Sequence, residues 1–230
     1  MCNYSLAACD IPCVCVLNAT RKHAGAIIDT FAEQGFKTPT PIQAYSWPIV
    51  TRGRDLIGIA ETGSGKTLAY GIPALLHAAR HEVDVPGSGT GASRAFCPAV
   101  LILAPTRELA LQIERSVFPF CQVLGVPQLS VYGGVSKQIQ LRALRAGVKV
   151  MIATPGRLLD FTQGSSAVSL HHCAFAVIDE ADRMLSLGFE PQIRAIIDQV
   201  LTAPSASRTH TPTQHSCRAD VNQRYVAALA

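Results

Sequence analysis

Five short runs of apolar, β-branched residues recur along the chain: Asp55–Ala60, Ala99–Ala104, Gln128–Tyr132, Val148–Ala153 and Phe175–Ile178. They are nearly continuous in hydrophobicity instead of alternating, as expected of parallel strands covered on both faces. Segments with helical spacing lie between them: Gly65–Ala79, Arg107–Leu124, Ser136–Ala146 and Gly156–Phe161. A further helix is expected over Pro191–Val200. Strands alternating with helices predict an α/β domain built on a doubly wound, mostly parallel sheet. Two helices, over residues 22–34 and 40–51, are predicted ahead of the sheet, the second capped by Thr40 with Pro41 at its first position.

Between these elements the polar composition marks boundaries. Residues 81–98 are rich in Gly and Ser and predict a surface loop. Residues 201–230 are rich in Thr, Ser and Pro and are expected to form a mostly disordered tail. Four cysteines (Cys2, Cys9, Cys13 and Cys15) crowd a leader, residues 1–20, expected to be poorly ordered. They lack the paired C-x2-C spacing of a zinc site. The compact domain is therefore predicted over residues 21–200. Cys97, Cys121, Cys173 and Cys217 are scattered, which fits reduced thiols.

The formal charge of +4 permits a polyanionic partner without demanding one. The start has no basic region before its apolar stretch, and Asp10 interrupts that stretch, which argues against a secretory signal. No apolar run is long enough to cross a bilayer. The composition predicts a soluble intracellular protein with no membrane partner.

Three stretches carry chemistry. "AETGSGKT", Ala60–Thr67, fits a shortened phosphate loop in which Thr62 or Ala60 replaces the first glycine of the usual pattern. Thr62, Gly63, Ser64 and Gly65 can wrap backbone N–H groups around phosphate oxygens, and the following helix points its positive end at them. Lys66 can reach the terminal phosphates, and the Thr67 hydroxyl can hold Mg²⁺. "AVIDEADRML" places Asp179 and Glu180 at the carboxyl end of a buried strand, where ligands bind in such sheets. Asp179 can hold the metal and Glu180 can polarise a water. Read alone, the same pair is better explained as a helix start with acidic first-turn residues; beside the phosphate loop it is not. In "GFKTPTPIQ", Gln43 offers a paired donor and acceptor matching the N6/N7 edge of adenine, and Phe36 a stacking face. Read alone, this stretch is better explained as a core aromatic before a proline-led helix.

"DEAD" at Asp179–Asp182, together with "GFKTPTPIQ", "AETGSGKT", "PTREL" at Pro105–Leu109, the pair Gly133-Gly134 and "TPGR" at Thr154–Arg157, resembles the DEAD-box RNA helicase family. The resemblance spans residues 28–200 with six motifs in the family's order. It implies a RecA-like P-loop NTPase domain using ATP and Mg²⁺ and binding RNA. Phe36 and Gln43 would select adenine, and Thr62–Thr67 would hold the triphosphate. Lys66, Asp179 and Glu180 would be catalytic. Asp182 would couple the ATP site to the next motif. Pro105, Thr106, Arg107, Gly133, Gly134, Thr154, Pro155, Gly156 and Arg157 would contact the RNA backbone, independently of base sequence. The wording is similar to the branch that processes pre-ribosomal RNA, which implies the nucleus or nucleolus.

Three departures temper these implications. The family's Ser-Ala-Thr motif and the strand leading into it have no acceptable counterpart, so the sheet is expected to lack its last strand. The second RecA-like domain, with its arginines, is missing, so the chain alone is expected to bind ATP and RNA weakly and barely turn over. No aromatic stands upstream of the glutamine motif, around Asn18–His23. A non-catalytic RNA- or partner-binding decoy, and a P-loop ATPase acting on something other than RNA, remain as alternatives.

Overall fold

The computed structural model describes residues 24–80, 95–201 and 225–229. In chain order the elements are α1 (Ala24–Glu33), α2 (Pro41–Val50), β1 (Leu56–Gly58), α3 (Lys66–Arg80), β2 (Val100–Leu103), α4 (Arg107–Leu124), β3 (Gln128–Val131), α5 (Lys137–Leu144), β4 (Val150–Ala153) and α6 (Pro155–Leu159). A π-helical turn, Asp160–Gly164, extends α6. β5 (Phe175–Asp179), α7 (Ala181–Ser186), α8 (Glu190–Leu201) and β6 (Tyr225–Leu229) complete the set.

The six strands form one parallel sheet in the order β1-β6-β5-β2-β4-β3. Alternate residues of the central strands enter opposite cores. Val100, Ile102, Val150, Ile152, Phe175 and Val177 face one side, packed against α1–α4. Leu101, Leu103, Met151, Ala153, Ala176 and Ile178 face the other, against α5–α8. Burial on both faces is why these strands read as unbroken apolar runs. The expected α/β class and parallel sheet are both present.

One expectation is overturned. The sheet does not lack a strand between the phosphate-loop strand and the acidic strand, because β6 fills that slot. It pairs with β1 on one side, Leu56 opposite Ala227, and with β5 on the other, Phe175 opposite Tyr225. The apolar stretch Tyr225–Leu229 was hidden by the polar composition of the residues before it. The rest of the predicted tail, the Cys-rich leader and residues 81–94 of the predicted loop lie outside the described residues. The end of that loop is anchored: Phe96 N donates to Ala167 O at 2.8 Å and Phe96 O accepts from Ser169 N at 2.9 Å.

α4 spans the predicted residues because its ends are signalled locally. The Thr106 hydroxyl caps the Leu109 N–H at 3.2 Å, and Gly125 closes the helix in the left-handed region at φ 61°. α3 contains Pro73, which cannot donate to the carbonyl of Ala69 four residues earlier. The neighbouring α2 answers this: Ser46 Oγ lies 3.2 Å from Ala69 O. Trp47 Nε1 likewise donates to Leu68 O at 3.1 Å. α2 is thus docked by side chains onto the first turns of the helix that follows the phosphate loop. Cys97, Cys121 and Cys173 are reduced thiols outside any disulfide, as the scattered spacing predicts. Among the described residues no helix is long and apolar enough to cross a membrane.

Candidate functional site

In a parallel sheet every strand delivers its following loop to the same edge. Here that edge carries the phosphate loop, the acidic pair and the predicted RNA contacts, in two groups, with Phe36 and Gln43 brought to the first from the α1–α2 region.

The first group surrounds the phosphate loop between β1 and α3. Gly63 and Gly65 have φ of 82° and 89°, a region that residues with a Cβ rarely adopt. At Gly65 space also forbids a side chain, since a Cβ would lie 2.6 Å from Gln43 Nε2. Lys66 Nζ donates to Ala60 O at 2.8 Å, folding the loop across its own base. Ser64 Oγ is buried in the loop without a protein partner, which fits a loop shaped to receive oxygen atoms.

Gln43 is buried. Its Oε1 accepts from Thr40 N at 3.0 Å and its Nε2 donates to Gly65 O at 3.1 Å. The predicted adenine reader thus also clamps the loop to the start of α2. Each end of the amide keeps one further hydrogen-bonding position. Phe36 is 43% exposed and lines a shallow pocket with Phe31, Lys37, Thr38, Pro39, Gln43 and Trp47. The geometry therefore brings Phe36 and Gln43 together beside the phosphate loop.

Opposite them, β5 ends in Asp179, which is 3% exposed. Its Oδ2 accepts from Tyr70 Oη at 2.8 Å and its Oδ1 from Glu180 N at 3.1 Å. Burial raises the Asp179 carboxyl above its ordinary value, against the lowering effects of Tyr70, the Glu180 N–H and the charge of Lys66. Burial, then the Asp179 charge, pushes the Tyr70 phenol well above its ordinary value, against the lowering effect of the nearby Thr67 side chain. Tyr70 thereby joins the two candidate metal ligands, Thr67 and Asp179. Sequence reading did not find it, because a tyrosine inside an apolar helix reads as core. Glu180 turns the chain at φ 50°, a strained conformation for a residue with a Cβ, and pairs with Arg183 at 3.0 Å. Asp182 lies exposed on the first turn of α7.

These residues fit a nucleotide with Mg²⁺. Among the described residues no group of three or more His, Cys, Asp or Glu gathers to hold a metal unaided. Thr67 and Asp179 would instead share the ion with phosphate oxygens, the usual arrangement for Mg²⁺.

The second group lines a groove of about 590 Å³ formed by Pro105, Arg107, Gly133, Thr154, Pro155, Gly156, Arg157, Asp160 and Phe189. Seven of the nine predicted RNA contacts meet there. The other two adjoin it: Thr106 caps α4, and Gly134 has φ 78° with its α-carbon facing Arg107. Arg107 lies over the Tyr132 ring, 4.9 Å from its centroid. Arg157 behaves differently from a phosphate ligand. Its side chain is 10% exposed, and its Nη1 donates to Val135 O at 3.0 Å and to Gln140 Oε1 at 2.8 Å. Gln140 and Tyr132 carry no signal in the linear sequence.

The DEAD/DEAH box helicase family model matches residues 40–216. The chain is 48% identical over 174 residues to the DEAD-box ATP-dependent RNA helicase 20 of Oryza sativa subsp. japonica, covering 76% of this chain and 33% of that protein. It is 49% identical over 174 residues to the ATP-dependent RNA helicase DBP2 of Chaetomium thermophilum, covering 76% of this chain and 30% of that one. The crystal structure of the yeast DEAD-box splicing factor Prp28 superposes with a TM-score of 0.73 at 32% identity, over 93% of this chain and 44% of that one. The chain thus spans about a third of the length of the curated relatives it matches.

Proposed function

The chain belongs to the DEAD/DEAH box helicase family, and from that premise we propose that it is the ATP-binding, RNA-gripping domain of an ATP-dependent RNA helicase. The observation that carries the reading is the common sheet edge. The pinned phosphate loop with Asp179 and Glu180 lies at one part of it, and the groove lined by Arg107, Gly133 and Thr154–Arg157 at the other.

Each residue has a physical task. Gly63, Ser64 and Gly65 present N–H groups and the Ser64 hydroxyl to phosphate oxygens, and Lys66 adds a positive charge. Thr67 and Asp179 would hold Mg²⁺, which when bound neutralises charge developing on the transferred phosphoryl group. Glu180 orients the attacking water and accepts its proton. Gln43 and Phe36 recognise adenine and thereby favour ATP over GTP. The groove offers backbone N–H groups and Arg107 to successive phosphates, so binding depends on salt and little on base sequence. In the family's pattern a second RecA-like domain supplies arginines, and such a group raises the rate by roughly a thousandfold or more. This chain by itself should therefore bind ATP and RNA, turn over slowly and leave duplexes intact.

The test is ATP hydrolysis with and without single-stranded RNA, by this chain alone and with a second helicase domain added in trans. RNA stimulation that disappears in Glu180→Gln supports an enzyme. RNA binding with no turnover, even in trans, supports a non-catalytic binding module. ATP binding with no crosslink to RNA removes RNA from the reading.

A further inference from the structure

We propose that Gln140 is a positioning residue that locks the groove's loops into one phosphate-binding surface, and that Arg157 acts through it and not directly on RNA. The proposal rests on reading the groove as the RNA site.

Gln140 sits on α5, behind the groove and outside its lining, and is 5% exposed. Its Nε2 donates to Tyr132 O at 3.2 Å, while its Oε1 accepts from Arg157 Nη1 at 2.8 Å. The same Nη1 donates to Val135 O at 3.0 Å. Tyr132 and Val135 immediately flank Gly133-Gly134. The glycine pair, the least restrained backbone in the chain's repertoire, is therefore held by a carbonyl on each side. Arg157 belongs to the turn Thr154–Arg157, so the same bonds fix that turn against the glycine loop. The Tyr132 ring lies beneath Arg107, which brings in the loop after β2. At the back, Asp160 lies 3.9 Å from Arg157 Nε and 2.9 Å from Lys137 Nζ.

The Gln140 amide suits the centre of this network because it carries a donor and an acceptor together. Position 140 must donate to Tyr132 O and accept from Arg157 at once. A carboxylate cannot donate, and an aliphatic side chain can do neither. Arg157 gives its Nη1 hydrogens to these two acceptors, and its Nε side faces the Asp160 carboxylate at 3.9 Å, so the remaining fork already has an anion before it.

The experiment measures binding of a fluorescein-labelled oligouridine to the full 230-residue chain over a series of salt concentrations. Gln140→Met should weaken binding about tenfold, the order of the cost of fixing one backbone residue at the moment of binding. The slope of log affinity against log salt should not change, because the phosphate contacts themselves remain. Arg157→Met should give the same loss and the same slope, and the double variant should be no worse than either single one. Gln140→Glu, which keeps the acceptor for Arg157 and loses the donor to Tyr132, should fall between wild type and Gln140→Met. Wild-type affinity in a cooperatively melting Gln140→Met overturns the proposal. So does an Arg157→Met whose slope drops by about 0.7, the value for one lost phosphate contact on a single strand, with additive losses in the double variant. If Gln140→Met does not melt cooperatively, wild-type affinity in Gln140→Glu overturns it instead. A wild-type chain that binds no RNA overturns the reading of the groove itself.

Discussion

Replacing Tyr70 with phenylalanine takes one oxygen out of the candidate nucleotide site and leaves the buried ring in place. That oxygen donates to Asp179 Oδ2 at 2.8 Å, between two residues that are 1% and 3% exposed. A hydrogen bond to a charged group contributes about 1.5–3 kcal/mol, and its loss leaves a buried carboxylate oxygen unpaired. At about 2–4 °C per kcal/mol for a chain of this size, Tm should fall by roughly 3–12 °C where Asp179 is ionised.

The pH dependence gives a sharper test. The Asp179 carboxyl titrates above its ordinary value of 3.8, with burial the largest cause, so the folded chain holds that proton more tightly than the unfolded chain. Stability linked to this group is therefore present at low pH, declines as pH rises from the ordinary value through the folded one, and stays lower above. The Tyr70 bond opposes the shift, so Tyr70→Phe moves the titration higher still. The Tm deficit should be small when Asp179 is protonated in both proteins and should reach its full size when it is ionised in both. Melting curves taken between about pH 4 and about pH 8 span most of the ordinary range for a perturbed carboxyl. A parallel titration of a fluorescent ATP analogue should show a higher Mg²⁺ requirement for the variant. A Tm deficit that is constant with pH, combined with an unchanged Mg²⁺ requirement, would mean that the hydroxyl only fills space.

Arg107→Ala removes the cation over Tyr132, and the salt slope for single-stranded RNA measured by anisotropy should fall by about 0.7; an unchanged slope excludes a phosphate contact. Gly65→Ala places a Cβ 2.6 Å from Gln43 Nε2 at φ 89°, and titration with a fluorescent ATP analogue should show a loss of affinity of about 5- to 150-fold, since strain of this kind costs on the order of 1–3 kcal/mol. Ser46→Ala withdraws the hydroxyl from the carbonyl that Pro73 leaves without its helical donor, so Tm should drop by roughly 2–6 °C; no change would mean that Ala69 O finds another donor. A chain ending at Arg224 loses β6 and leaves β1 and β5 with facing unpaired edges, so cooperative melting should give way to aggregation; melting like that of the full chain would show that β6 is dispensable.

What could be read from the sequence was whatever lies in one contiguous stretch. β2, β4 and β5 announce themselves because burial on both faces demands unbroken apolar runs. The phosphate loop is legible because backbone geometry, which glycine spacing records, does its work. β6 was not legible, since five modestly apolar residues become a strand only when a slot between two others is waiting for them. Ser46 and Pro73 show the same limit from the other side. A proline inside a helix reads as a break, yet the carbonyl it releases is met by a hydroxyl 23 residues away in sequence. Tyr70 and Asp179, 109 residues apart, become partners only because α3 packs on the sheet beside β5. Arg157 is the most instructive case. "TPGR" reads as an arginine offered to phosphate, whereas the structure turns it into the protein. The choice is made by Gln140, a residue of unremarkable sequence context whose amide lies 2.8 Å from the guanidinium. A motif can specify which residue types meet at a site, but the direction in which a long side chain points is set by the element packed behind it.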